Sequence, residues 1–223
     1  SADNLLVIIN DILDLSKIEA GKIEIEHTDF VVQEMIDSVK DMLLFKAEEK
    51  GLEFRLDIDE RMPIRLVGDP TRINQVLINL AGNAVKFTEK GHVSISGAVS
   101  KQEGDTYWIR FDVADTGIGI SPDYVVSIFE SFTQAGTDIA RKFGGTGLGL
   151  TISKQLVGLM NGQISVQSAV GQGTQFTVIL PLKESDNQLP VEEMPIVDGS
   201  MKLVLPKMKL LLAEDNEFNR MVA

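Results

Sequence analysis

The chain has 223 residues, of which 43% are hydrophobic, so it can bury a substantial core and is not a disordered polymer. A formal net charge of −12 argues against non-specific binding to nucleic acid or anionic lipid, which both depend on basic patches. The absence of cysteine excludes disulfides and thiolate metal sites. It agrees with a reducing, cytoplasmic location, and we expect membrane contact only through segments outside this chain.

The first predicted element is an amphipathic helix over residues 1–21. Its apolar residues fall at heptad a and d spacing and on flanking positions, namely Leu5, Ile8, Ile12 and Leu15 with Leu6, Ile9 and Leu13. A stripe of this width predicts helical partners. The chain opens at Ser1 without Met and stops at "NRMVA" within an apparent helix, so we expect a piece of a longer protein.

The central elements follow from periodicity and capping signals. "KIEIEH" alternates as a half-buried strand does, and a helix is predicted from about Asp29 to Lys50. "LEFRLDID" predicts a strand, and Asp69 with Pro70 marks the start of a helix that continues to near Gly91. "HVSISGAVS" and "YWIRFDVAD" predict two further strands.

The last third combines a long aperiodic stretch with regular elements. Residues 116–147 show little periodicity, which in a compact domain favours a functional loop. A helix from about Leu148 to Met160 and a strand hairpin from "GQISVQSAVGQGTQFTVILPL" follow. Because helices and strands mix without strict alternation, we predict an α+β two-layer sandwich over residues 22–182. Residues 183–207 are expected to form a linker, and 208–223 the start of another domain.

The segment "FGGTGLGL" places four glycines directly before a predicted helix. It lacks the Lys-Ser/Thr of a P-loop, and Leu150 occupies the position of the third glycine of a Rossmann fingerprint. Exposed backbone N–H groups at a helix N-terminus favour an anion such as phosphate. The alternative is an ordinary flexible loop.

In "DVADTGIGI", Asp115 lies at the end of an apolar strand, where a partly buried acid needs a hydrogen-bonding partner. An amine of a ligand could supply it. An aspartic protease would need a second such carboxylate, and "VDGS" in the expected linker is a poor candidate. A turn-capping aspartate is the structural alternative.

The helix "RINQVLINLAGNAVKFT" carries a polar stripe opposite its apolar face, formed by Gln75, Asn79, Asn83 and Lys86. Asparagine is a mediocre helix former, so two on one stripe indicate a site, although a solvated polar face remains open. Amide oxygens and a lysine suit Mg²⁺ and the phosphates it bridges. With Asp115 and the glycine loop, the stripe predicts a purine nucleotide triphosphate site.

Five segments in this order resemble the N, G1, F, G2 and G3 boxes of sensor histidine kinase catalytic domains: "NLAGNAVKFT", "DTGIGI", "FESF", "GGTGLGL" and "GQGTQFTVILP". The resemblance implies the Bergerat ATP-binding fold. Residues 1–21 resemble the second dimerisation helix of hybrid kinases. "KLLLAEDNEFNR" resembles the opening of a receiver domain, with Glu214 and Asp215 in its acidic pocket.

The resemblance also implies roles for single residues. Asp115 would accept the adenine amine, Asn83 would bind Mg²⁺, and Lys86 would reach phosphate. The remaining ATP contacts would come from two glycine segments and the ATP lid, roughly residues 129–147, namely Gly117, Gly119, Arg141, Lys142, Gly145, Gly147, Leu148 and Gly149. Asn79 stands where the gyrase and heat-shock chaperone ATPases carry a glutamate base, which favours a kinase over an ATPase.

We therefore expect a magnesium- and ATP-dependent catalytic domain that phosphorylates a histidine of a hybrid sensor kinase. The acceptor histidine should precede Ser1, since His27 and His92 lie in strand-like segments, so this chain should not phosphorylate itself. The expected partners are a second copy through dimerisation helices, the protein's own receiver domain and a downstream phosphorelay protein. A nucleotide-sensing module and an ATPase remain alternatives.

Overall fold

The computed structural model describes residues 2–130 and 147–186, which all belong to one compact unit, Ser1–Gln188. Its elements in chain order are α1 (Ala2–Glu19), β1 (Thr28–Val31), α2 (Val32–Glu49), β2 (Glu53–Ile58), β3 (Arg65–Gly68), α3 (Pro70–Phe87), β4 (His92–Glu103), β5 (Thr106–Asp115), α4 (Pro122–Val125), α5 (Gly149–Leu159), β6 (Gln163–Ala169) and β7 (Gly173–Glu184). None of these helices has the length and apolar character needed to cross a membrane. Most of the expected linker and all of the expected receiver segment, residues 187–223, lie outside the described residues.

The strands form one seven-stranded sheet in the order β1–β3–β7–β5–β4–β2, with β6 paired to β7 as well. β7 has β5 along one side, while β6 and then β3 occupy successive parts of its other side. Among the strands of the described residues, only β2 and β4 pair in parallel. Asp115, the last residue of β5, pairs with Val93 near the start of β4 and with Thr174 near the start of β7.

The helices α2, α3 and α5 cover one face of the sheet, which gives the predicted two-layer α+β sandwich. Strands β4, β5 and β7 alternate between buried and less buried residues, as strands with one covered face do. The buried face is aliphatic and aromatic, and its largest enclosed side chains include Phe111, Ile95, Ile109 and Leu180. The opposite face is more polar, and there Asp112 accepts hydrogen bonds from Arg110, Gln175 and Thr177.

The predicted start of α3 is confirmed in detail. Asp69 is its N-cap, and the carboxylate accepts a hydrogen bond from the backbone N–H of Arg72 at 3.0 Å. The second carboxylate oxygen accepts from the backbone N–H of Glu26 at 3.1 Å, so a buried acid that is 3% exposed is bonded on both sides. One side chain therefore starts the helix and also holds the segment before β1.

Three local predictions are wrong. Residues 22–27 alternate in burial, but they pair with no strand in the described part of the chain, and the pairing that makes β1 begins at Thr28, opposite Gly68 of β3. Because of that pairing, the second helix begins at Val32 and not at the predicted Asp29. The helix α3 ends at Phe87 rather than near Gly91, because Thr88 is extended and its hydroxyl donates to the carbonyl of Ala84 at 2.7 Å.

Candidate functional site

The candidate site lies where β5 ends and β4 and β7 begin, next to the last turn of α3 and the first turn of α5. Asp115 lies at this end of the sheet, and the loop after it packs on the carbonyl of Phe87 through the N–H of Ile118 at 3.3 Å. On the other side, the side chain of Asn79 in α3 reaches α5. Three separate predicted segments, the polar stripe, the Asp115 loop and the start of the glycine helix, thus meet in space.

Asp115 is half-buried and held by backbone donors. Its Oδ1 accepts a hydrogen bond of 2.7 Å from the N–H of Gly117. Burial raises the pKa of this carboxyl above its ordinary value, although hydrogen bonds from the backbone N–H groups of Gly117 and Thr174 act in the opposite direction. A carboxylate that is costly to bury is thereby fixed and ready to accept a hydrogen bond from a ligand amine.

The glycines near Asp115 are required by contacts within the protein. Gly117 cannot carry a side chain, because a β-carbon there would lie 2.5 Å from the carbonyl oxygen of Phe87. Gly119 has a φ of +67°, and its β-carbon would lie 1.9 Å from the carbonyl oxygen of Ala169. At the start of β7, Gly173 has a φ of +91° and would place a β-carbon 1.9 Å from the Asp115 carbonyl oxygen. These glycines allow close backbone contacts at the ends of α3, β6 and β5, next to Asp115.

The predicted polar stripe of α3 divides along its length. Gln75 does not face the site, since its Nε2 donates to Asp14 of α1 at 2.8 Å and its Oε1 accepts from Arg72 at 2.9 Å. Asn79, one turn later, donates from Nδ2 to Ser153 of α5 at 2.8 Å. Asn83 is half-buried in the next turn, one turn before Phe87, whose carbonyl contacts the Asp115 loop. The second half of the stripe therefore lies at the candidate site, whereas Gln75 faces α1.

Two lysines lie at the end of α3. Burial lowers the pKa of Lys86, whose ammonium lies 4.9 Å from the centre of the Phe87 ring. Lys50, directly after α2, extends its ammonium to the last carbonyls of α3 and donates to those of Val85 at 2.7 Å and Lys86 at 2.8 Å. A cation that donates to the last carbonyls of a helix stabilises the turn that here carries Asn83 and Lys86.

The helix α5 begins directly after the glycine loop. Gly147 has a φ of +71°, and Leu148, the N-cap, makes no side-chain cap hydrogen bond. Gly149 packs on α3, where its β-carbon would lie 2.3 Å from Oδ1 of Asn79. The side chain of Thr151 donates to the carbonyl of Phe129 at 3.1 Å. The predicted contacts Arg141, Lys142 and Gly145, and most of the predicted lid, lie outside the described residues.

Sequence reasoning missed two residues at this site. Lys50 had no recognisable signal, since it follows a helix and could equally face solvent. Ser153 carried a weak one, because it lies on the same stripe of α5 as the apolar Leu156 and Val157, and a polar residue on a buried stripe must find a partner. Its partner, Asn79, is 74 residues away in sequence.

The chain is similar in sequence to one known family and to several longer proteins. Residues 68–184 match the family described as histidine kinase-, DNA gyrase B-, and HSP90-like ATPase. Hybrid signal transduction histidine kinase L of Dictyostelium discoideum is 45% identical over 85% of the chain, which covers 12% of that protein. The sensory/regulatory protein RpfC of Xanthomonas campestris is 40% identical over the whole chain, which covers 34% of it. BarA of Escherichia coli is 38% identical over 97% of the chain and 23% of its own length. The chain thus spans about a third or less of these relatives.

Solved structures agree with the fold. Full-length ShkA in complex with AMPPNP superposes with a TM-score of 0.72 and 35% identity, over 84% of this chain and 38% of that one. A nucleotide-free catalytic domain of histidine kinase ThkA superposes with a TM-score of 0.57 and 29% identity, over 70% of this chain and 95% of that one. The chain therefore belongs to the family of histidine kinase-, DNA gyrase B- and HSP90-like ATPases, as a catalytic domain of the kind found in hybrid sensor histidine kinases.

Proposed function

We propose that this domain binds Mg-ATP at the end of the sheet around Asp115 and presents the γ-phosphoryl group for transfer to a histidine. The observation that carries the proposal is the environment of Asp115, a half-buried carboxylate fixed by backbone donors beside α3. The AMPPNP complex of ShkA, a structural neighbour, supports a triphosphate ligand for this fold.

The adenine end of the proposed site is built around Asp115. The carboxylate accepts a hydrogen bond from the exocyclic amine, while Gly117 and Gly119 keep the surrounding backbone close and fixed. A purine with a carbonyl oxygen in place of the amine would put two acceptors against each other, which costs free energy on binding. The proposed site therefore selects adenine over guanine.

The phosphate end is assigned to the last turns of α3 and the start of α5. Among the described residues, no cluster of three or more His, Asp or Glu side chains could hold a metal ion. The half-buried amide of Asn83 fits Mg²⁺, which takes few protein ligands when it is shared with substrate phosphates. Bound there, the cation would neutralise phosphate charge. Lys86 adds an ammonium, and the N–H groups at the start of α5 add donors for phosphate.

Transfer rather than hydrolysis is supported by Asn79. An amide is a poor base for attacking water, and here its Nδ2 is already bonded to Ser153. The phosphoryl acceptor proposed is a histidine on a dimerisation helix that would precede α1. His27 is exposed in a loop and His92 opens a strand inside the sheet, so we propose that this chain alone does not phosphorylate itself.

The proposed dimerisation role of α1 is supported by its exposed apolar residues. Ile9, Ile12 and Leu13 are 44%, 47% and 50% exposed, whereas Leu15 and Ile18 pack on the core of the domain. Leu5, Leu6 and Ile8 have side chains outside the described part of the chain. Transfer from histidine to a receiver aspartate and a downstream phosphorelay protein would complete the proposed pathway.

Calorimetric titration of Mg-ATP into the chain beside its Asp115→Asn variant tests the proposal. The parent should bind ATP, and the variant should lose most of the affinity, because its amide places a donor where the adenine amine needs an acceptor. Mg-GTP serves as the matched ligand and should not bind the parent. A folded parent that binds no ATP, or a variant that binds as well as the parent, would contradict the assignment.

A further inference from the structure

The contact between Asn79 and Ser153 joins α3 to α5 at the proposed phosphate end. Ser153 is 2% exposed, and its Oγ accepts the Nδ2–H of Asn79 at 2.8 Å. A serine hydroxyl in a helix can donate its own proton to the carbonyl four residues earlier, which leaves its lone pairs free for the amide. The bond is therefore enclosed, with the amide as its donor and the hydroxyl as its acceptor.

A second contact with α5 confines the oxygen of the Asn79 amide. Oδ1 lies against Gly149, where a β-carbon would come within 2.3 Å of it. Any residue other than glycine at the start of α5 would displace this side chain. The Asn79 amide thus lies between the buried hydroxyl of Ser153, which accepts its N–H, and the backbone of Gly149, which its oxygen contacts at the first turn of α5.

We infer that Ser153 is a positioning residue, which holds the Asn79 amide so that its oxygen stays at the first turn of α5, where the proposed site places the phosphates. The inference rests on the proposed function. Ser153 itself does not touch the nucleotide, and it acts by removing the rotational freedom of Asn79.

The test compares Ser153→Ala with the parent in titrations of Mg-ATP and of adenosine. Losing the acceptor should weaken Mg-ATP binding about tenfold, the order expected when one hydrogen bond to a polar ligand group is misplaced, and should leave adenosine binding unchanged. In an Asn79→Ala background the same substitution should have no further effect. Thr177→Val, which removes a hydroxyl bonded to Asp112 on the opposite face of the sheet, is the control and should bind both ligands as the parent does.

Two results would overturn the inference while leaving the proposed function intact. One is equal weakening of ATP and adenosine binding by Ser153→Ala, and the other is an equal loss with or without Asn79. A parent that binds no ATP would instead overturn the proposed function, and the inference with it. Should Ser153→Ala fold poorly, amide exchange in the parent decides: one slowed side-chain N–H on Asn79 is expected, and two rapidly exchanging protons would refute the contact.

Discussion

Removing the ammonium of Lys50 should destabilise the domain through the end of α3. The side chain makes two short hydrogen bonds, of 2.7 and 2.8 Å, to the carbonyls of Val85 and Lys86, and a longer one of 3.4 Å to that of Thr88. A hydrogen bond to a charged group contributes about 1.5–3 kcal/mol when it is enclosed. Because Lys50 is largely exposed, we expect about 1–2 kcal/mol in total for Lys50→Met.

The assay is urea unfolding, with thermal unfolding as a second measure. For a domain of this size the loss corresponds to a Tm lower by roughly 2–8 °C. Lys46→Met, in the exposed last turn of α2, is the matched control because it removes the same charge from the neighbouring turn. Nucleotide affinity should also fall for Lys50→Met, since the loosened turn carries Asn83 and Lys86. Equal stabilities of the two variants would refute the capping role of Lys50.

Three further predictions concern the site itself. The affinity for Mg-ATP should be highest at neutral pH and should decline as the pH falls through the raised pKa of Asp115, so the loss begins above the pH at which an ordinary aspartate titrates, near 3.8. Calorimetric titrations at a series of pH values measure the affinity. A profile in which the affinity falls only below the range of an ordinary aspartate would contradict the prediction. The parent should hydrolyse ATP slowly, and Asn79→Glu should keep that rate or raise it without improving transfer to an added acceptor helix. Phosphate release measures the hydrolysis rates of the two proteins. Rapid hydrolysis by the parent would favour an ATPase. Gly119→Ala should cost about 3 kcal/mol or more of stability, because its β-carbon meets a carbonyl oxygen, whereas Gly104→Ala, with a φ of +61° and open space, should cost only about 1 kcal/mol in the same unfolding assay.

The elements that were predicted correctly are those whose signals are local. The start of α3 follows from Asp69 and Pro70, because capping is decided within one turn. The strands β4, β5 and β7 follow from alternation, because one face of each is covered by helices. Strand β3 was missed, since four residues carry little periodicity and its pairing with β1 and β7 depends on distant parts of the chain.

By itself the sequence determined the two-layer fold, the polar last turns of α3 with Asn83 and Lys86, and the position of Asp115 at the end of a strand. Each of these is encoded by residue type and spacing along a single element. Only the tertiary structure decided three hydrogen bonds. Gln75 bonds to α1, Lys50 bonds to the last carbonyls of α3, and Asn79 bonds to Ser153. These contacts join residues dozens of positions apart, and their geometry depends on how the helices pack on the sheet. No local pattern contains that information.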